Sequence, residues 1–206
     1  MLEEHGYVVF SVDWDAQWAP DLVIDVLKWR YKERFKPGDF DIVAASPPCT
    51  EYSAALTTRP RRMKEADRVV ARTRAIIEYL KPRLWWIENP RHGRLRERQV
   101  VRDLNYVDLD YCMFEQWGYQ KPTRFWIPRS MANKSNVLCN GDCGNMVQTE
   151  DGRRHHRVRI SGKQGPRARR EMAYRIARGV VEYLCGLQNL ALPRRWSFDP
   201  RRWQAG

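Results

Sequence analysis

Two short apolar runs, each broken by proline and each ending in a chemically useful polar residue, constrain this chain more than any other feature. The first, Asp41-Ile42-Val43-Ala44-Ala45, leads into Ser46-Pro47-Pro48-Cys49. The second, Leu84-Trp85-Trp86-Ile87, leads into Glu88-Asn89-Pro90. Runs of this length bounded by turn residues read as buried strands. Between them, residues 63–81 carry Ala66, Val69, Val70, Thr73, Ile76, Ile77 and Leu80 at helical spacing, and Pro82 marks the stop. Strand, helix and strand in this order predict neighbouring parallel strands with a helical crossover. Their carboxyl ends then meet at one sheet edge, where open α/β sheets carry their chemistry. Pro47 and Pro48 fix the backbone ahead of Cys49, so its sulfur is held in place. Glu88 ends the second strand and faces the same crevice. A held thiol beside a carboxylate that can carry a proton suits covalent addition to an electron-poor ring.

The remaining chain continues the alternation. Leu2–His5 reads as the end of a helix closed by Gly6, and Tyr7–Val12, Tyr106–Asp110 and Phe125–Ile127 read as further strands. Residues 130–165 lack periodicity and read as an irregular insert. Residues 167–186 return to helix, with Met172, Ile176, Val180 and Leu184 on one side. This divides the chain into a core over 1–129, an insert over 130–165, a helix returning to the core over 166–190 and a loose basic tail over 191–206. At 206 residues the chain is long enough for one ordinary domain with a real core.

A net charge of +12 favours a polyanionic partner. The longest apolar runs are far too short to cross a bilayer, and nothing resembles a signal peptide. Five cysteines form no dense framework, which fits a reducing, intracellular compartment such as a nucleus or nucleoid. No histidine stands near Cys49 in a recognisable motif, which argues against a thiol hydrolase.

Pro48-Cys49 after one strand, Glu88-Asn89 after the next, and Gln120-Lys121-Pro122-Thr123-Arg124 further on resemble, in order, the motifs of the DNA cytosine-5 methyltransferases. Residues 7–15, Tyr-Val-Val-Phe-Ser-Val-Asp-Trp-Asp, resemble the family's second strand, and Asp25-Val26 its third cofactor motif. The resemblance runs from residue 1 to about residue 128 and resumes near 166–186. It implies an α/β fold with a Rossmann-like, mostly parallel methyltransferase sheet, S-adenosylmethionine as cofactor and DNA as substrate. It implies that Cys49 adds as a thiolate to carbon 6 of a cytosine turned out of the duplex. Glu88 would contact ring N3 and the exocyclic amine, Asn89 would fix that loop, and Arg124 would lie near the base or the adjacent phosphate. In the cofactor pocket Asp13 would bind the ribose hydroxyls, Trp14 would pack on the adenine and Asp25 would accept from its amine. Val26 and Pro47 belong to the same implied pocket. Two other readings use the same residues: a nucleic-acid-binding remnant that has lost cofactor binding, and an RNA cytosine methyltransferase on the same scaffold.

The chain departs from this pattern in three places. The family's opening strand and Phe-x-Gly-x-Gly turn have no counterpart here. The expectation is an N-terminally truncated sheet with a gap flanked by unpaired edges, and weak cofactor binding at best. Pro122 stands where many members carry another arginine. The insert is short for a target-recognition domain.

Within the insert, Cys139 and Cys143 with His155 or His156 form a candidate zinc site, since thiolates and imidazoles suit a tetrahedral ion. Of the paired histidines, His155 is taken as the ligand, the fourth ligand is unassigned, and Cys112 and Cys185 are assigned to the core. Arg153, Arg154 and Arg157, followed by Arg159, Lys163, Arg167, Arg169 and Arg170, form a basic cluster suited to tracking phosphates. Arg59, Arg61, Arg62 and Lys64 follow the Pro-Cys loop and suit a clamp on the target strand, with Gln120 and Lys121 as further nucleic-acid contacts.

Overall fold

The computed structural model describes residues 2–158, 171–172 and 175–186. Its central unit is a four-stranded sheet built from β3 (Ile42–Ala45), β4 (Leu84–Pro90), β5 (Asn105–Asp110) and β6 (Pro122–Ile127), in the spatial order β3-β4-β6-β5. Strands β3 and β4 are parallel, and α1 (Met63–Leu80) lies between them in the chain. A shorter parallel pair, β1 (Val12–Asp13) and β2 (Leu22–Val23), forms its own sheet, and no ladder joins it to β3 among the described residues.

The central sheet is mixed, not mostly parallel. Strand β6 enters between β4 and β5 and runs antiparallel to both. The connection from β5 to β6, residues 111–121, contains no α-helix. A parallel return needs a crossover of a dozen or more residues, so this short link reverses the chain. Because β6 opposes both neighbours, β3, β4 and β5 all end at the same edge. The outer side of β5 is covered by Val137, whose N–H donates to the Asp108 carbonyl and whose carbonyl accepts from the Asp110 N–H. That contact removes part of an open edge.

Residues alternate across the sheet. One face carries Trp86, Val107, Leu109, Phe125 and Ile127 against Val180, Val181 and Leu184 of α2 (Arg178–Cys185). The other carries Ile87 and Trp126 against Val70 and Ile77 of α1. The predicted apolar stripe of α1 buries Val70, Thr73, Ile76, Ile77 and Leu80. Full burial of a side chain such as Val70 or Leu80 contributes about 1.5–3 kcal/mol. The helix ends at Lys81, which takes a left-handed conformation (φ 50°) ahead of Pro82. A third cluster of Trp29, Tyr31 and Phe35 with Ile76 and Leu80 seats the β1–β2 segment on the outer side of α1.

Three further expectations change. Only Val12–Asp13 of the run from Tyr7 pairs as a strand. The insert is not wholly irregular, since β7 (Met146–Gln148) and β8 (Arg154–His156) form an antiparallel hairpin. The helix over 167–186 is interrupted: Ala177 is extended (ψ 134°) and α2 begins at Arg178. A remote carboxylate sets that start, because Glu115 Oε1 accepts the backbone N–H of Arg178 at 3.0 Å. Periodicity cannot register a cap supplied from 63 residues away. The predicted tail over 191–206 lies outside the described residues.

Candidate functional site at the carboxyl ends of β3, β4 and β5

The strand–Pro-Pro–Cys segment and the strand–Glu-Asn-Pro segment do meet. Ser46 Oγ donates to Glu88 Oε1 at 2.6 Å, and Asn89 Nδ2 donates to the Pro47 carbonyl at 2.8 Å. These bonds tie the two carboxyl ends together. Glu88 and Asn89 are nearly buried, and the Asn89 Oδ1 atom is buried without a partner. Cys49 is half-buried at the start of a short 3-10 turn, Thr50–Tyr52. Burial pushes its thiol above the ordinary cysteine range, the nearby Lys121 charge draws it down, and Glu88 pushes it up again.

Two neighbours complete the group. Tyr111, the residue after β5, donates its Oη to Glu88 Oε2 at 2.8 Å. Lys121 Nζ sits 4.5 Å from the Tyr111 ring centroid and donates to the Arg175 carbonyl at 2.8 Å. Burial lowers the Lys121 ammonium, while the charges of Glu88 and Cys49 raise it. Sequence reasoning does not single out Tyr111. The available signal is its position immediately after a strand that ends at the same edge. The resulting assembly is a desolvated thiol with a carboxylate fixed by two hydroxyl donors and an ammonium close by. It can add to an electrophilic carbon and meet charge on the product.

Arg124 and Gln120 lie elsewhere. Arg124 pairs in register with Asn89, one position from the Glu88–Phe125 pair, so its side chain leaves the opposite face from Glu88. Its Nε and Nη2 each donate to Asp108 at 2.8 Å, and its guanidinium stacks 3.6 Å from the half-exposed Tyr106 ring. Gln120 Nε2 donates to the fully buried Asp110 at 2.8 Å. Asp110 also accepts the Cys139 N–H at 2.9 Å. Arg91 Nη1 lies 3.1 Å from Asp110 Oδ1, close enough for an ion pair but out of line for an N–H donor.

Of the residues assigned to a cofactor, Asp13, Trp14, Asp25 and Val26 lie at or just past the carboxyl ends of β1 and β2, while Pro47 follows β3. Asp13 is the last residue of β1, and its Oδ1 accepts the Asp15 N–H at 2.9 Å. Asp25 lies just past β2 and accepts the Leu27 N–H at 2.9 Å. Trp14 is 68% exposed, which leaves its ring open to stack on a planar ligand. Val26 packs against the Trp29–Phe35 cluster, and Pro47 is buried beside Asn89. This edge therefore presents two carboxylates and one open indole.

Glu51 organises the loop after Cys49. Its carboxylate accepts from Arg59 Nη1 at 3.0 Å and from the Arg62 N–H at 2.7 Å, and the Arg59 bond holds it down to about 2. Arg61 Nη2 donates to the Ser53 carbonyl at 2.8 Å. Arg59, Arg62 and Lys64 remain exposed. Arg153, Arg154 and Arg157 are exposed on or beside the β7–β8 hairpin. Arg159, Lys163, Arg167, Arg169 and Arg170 lie outside the described residues.

The cysteine cluster differs from its expected form. Cys139 and Cys143 meet His156, not His155, and Cys112 supplies a fourth group instead of packing only as core. Alternation on β8 explains the exchange, since adjacent residues point to opposite faces. His155 turns its Nδ1 to the His156 carbonyl at 2.9 Å.

No family model matches the chain. The chain is 31% identical over 189 residues to a protein of Frog virus 3 (isolate Goorha) described as "probable DNA (cytosine-5)-methyltransferase". The match covers 81% of this chain and 84% of that protein.

Proposed function

The chain belongs to the DNA (cytosine-5)-methyltransferase family, and from that premise we propose that it methylates carbon 5 of cytosine in DNA through a transient bond to Cys49. The observation that carries this reading is the joining of the β3 and β4 carboxyl ends, Ser46 Oγ to Glu88 Oε1 at 2.6 Å, with Cys49 beside them. The two parallel pairs, β1–β2 and β3–β4, are read as parts of a Rossmann-like methyltransferase sheet.

The chemistry follows from these side chains. Cys49 loses its proton to solvent, and the thiolate forms a bond from sulfur to carbon 6 of the base. The displaced electron pair makes carbon 5 nucleophilic and builds charge toward ring N3. Glu88, oriented by Ser46 and Tyr111, carries the proton that it gives to N3 as charge builds there, and its other oxygen accepts from the exocyclic amine. When bound, S-adenosylmethionine would supply an electrophilic methyl group for carbon 5, with its thioether as the leaving group. Transfer of the carbon 5 proton to water, return of the N3 proton to Glu88 and departure of the Cys49 thiolate then restore the aromatic ring. Asp13, Trp14 and Asp25 would hold the adenosine half of the cofactor, and Asn89 braces the Pro47 turn so that Cys49 keeps its position. Arg124, tied to Asp108 and stacked on Tyr106, braces the β5–β6 pair. Arg59, Arg62, Arg153, Arg154 and Arg157 supply phosphate contacts that orient the strand.

Trapping on DNA that contains 5-fluorocytosine tests this. Fluorine cannot leave as a cation, so the Cys49 adduct should persist through denaturation when S-adenosylmethionine is present. Cys49→Ala should form none while DNA binding is largely kept. An adduct in the Ala variant, or trapping on structured RNA in preference to duplex DNA, would overturn the assignment.

A further inference from the structure

Four side chains from three separate segments converge outside the site described above. They are Cys112 in the turn after β5, Cys139 and Cys143 on either side of a tight loop, and His156 at the end of β8. Their ligand atoms all lie within 4.8 Å of one another. His156 Nε2 is 3.6 Å from Cys139 Sγ and 3.4 Å from Cys143 Sγ. An ion with Zn–S of about 2.3 Å and Zn–N of about 2.0 Å at a tetrahedral centre has S···N edges of about 3.5 Å. The observed edges match that figure. The cysteines are free thiols, so no disulfide accounts for their approach. We propose that Cys112, Cys139, Cys143 and His156 bind one zinc ion, and that this ion fastens the 139–158 hairpin to the core beside Tyr111.

Three sulfurs and one imidazole are a soft donor set that selects zinc over magnesium or calcium. Four protein ligands leave no open position, which makes the site structural. The surroundings are organised for it. The Gly141 N–H points at Cys139 Sγ at 3.4 Å, and Asp110 accepts the Cys139 N–H at 2.9 Å. The buried Asn145 donates to the carbonyls of Cys112 at 2.9 Å and Glu115 at 2.7 Å and accepts the Gly118 N–H at 2.7 Å. These bonds set the backbone that presents the ligands.

The fold gives such an ion a task. Strands β7 and β8 are three residues each, and a two-stranded hairpin of that size is marginal in water. The hairpin carries Arg153 and Arg154, with Arg157 just beyond it. Cys112 adjoins Tyr111, whose hydroxyl holds Glu88. A bound ion therefore fixes the basic hairpin and the Glu88 support through one residue step. The site stands on these distances alone and does not require the methyl-transfer reading.

Elemental analysis of the full chain, and reconstitution of the metal-free chain with Co(II), provide the test. We expect one zinc per chain, and for cobalt the intense visible bands of a tetrahedral centre with thiolate charge transfer. His156→Ala and Cys143→Ser should lose the metal, and His155→Ala should keep it. His156→Cys should retain cobalt with a spectrum shifted toward four thiolates, which decides the matter if the losing variants fail to fold. Chelation should open the 139–158 segment to protease, and zinc should restore protection. Background zinc with six-coordinate cobalt spectra would overturn the site. So would loss in His155→Ala with retention in His156→Ala. Unchanged protease protection after metal removal would overturn the fastening role.

Discussion

Tyr111 Oη lies 2.8 Å from Glu88 Oε2, a bond from the end of β5 to the end of β4 across the intervening strand β6. Burial and the Glu88 charge raise the Tyr111 phenol well above its ordinary value, so it remains a donor throughout the working pH range. Glu88 is thereby held from both sides, by Ser46 from β3 and Tyr111 from β5.

If that grip orients Glu88 toward the base, its two halves can be graded. Glu88→Gln should lower the single-turnover methylation rate by at least about 10²-fold, the scale for a positioned proton-handling group. Tyr111→Phe should cost about 10-fold, as expected for one hydrogen bond to a charged group. Duplex binding should change much less in both. A Glu88→Gln rate equal to that of the parent would reduce Glu88 to a strand residue.

The raised Cys49 thiol has a pH signature. Thiolate is the reactive form, and raising the pKa moves its appearance to higher pH. Alkylation of Cys49 should keep accelerating above about pH 8.5, where an ordinary cysteine is half ionised. Lys121→Met removes the charge that draws the thiol down and should push the midpoint further up. A midpoint below that of a free cysteine would contradict the burial argument.

Trp14 and Asp13 address cofactor binding. Trp14→Ala removes an exposed stacking surface, and stacking of a base on an aromatic ring is worth about 1–3 kcal/mol. Titration calorimetry should show S-adenosylmethionine affinity falling about 5-fold or more on that scale. Asp13→Ala should weaken it as well. Equal affinity in parent and variants would remove both residues from the pocket.

The hairpin arginines should reveal themselves through salt. Replacing Arg153, Arg154 and Arg157 with alanine should flatten the plot of log affinity for DNA against log salt, by about 0.9 for each phosphate that is no longer neutralised. An unaltered slope would mean that the hairpin faces away from the nucleic acid.

Lys81 offers a test of the fold. A side chain in the left-handed region costs about 1–2 kcal/mol, which glycine avoids. Lys81→Gly should therefore stabilise the fold by about 1 kcal/mol, which raises the urea midpoint by roughly 0.3–1 M. A lower midpoint would show that Lys81 is not held at positive φ in solution.

Strand β3, helix α1, strand β4 and the meeting of Cys49 with Glu88 were all legible in the sequence. Each rests on local pattern: apolar runs of strand length, a helical stripe from Ala66 to Leu80, and prolines that stop each element. The Pro48-Cys49 and Glu88-Asn89 motifs lay on those same segments. What the sequence withheld depends on contacts between distant residues. Strand β6 reverses because the 111–121 link is too short for a crossover, and no residue pattern announces which neighbours it will take. Tyr111 reaches Glu88 because β5 ends at the same edge, which follows only from that reversal. Arg124 faces Asp108 instead of the thiol because pairing register decides which face a strand residue occupies. His156, not His155, joins the cysteines for the same reason, and Cys112 joins them from 27 residues upstream of Cys139. Local chemistry selects the elements, while register and strand order decide which side chains share a site.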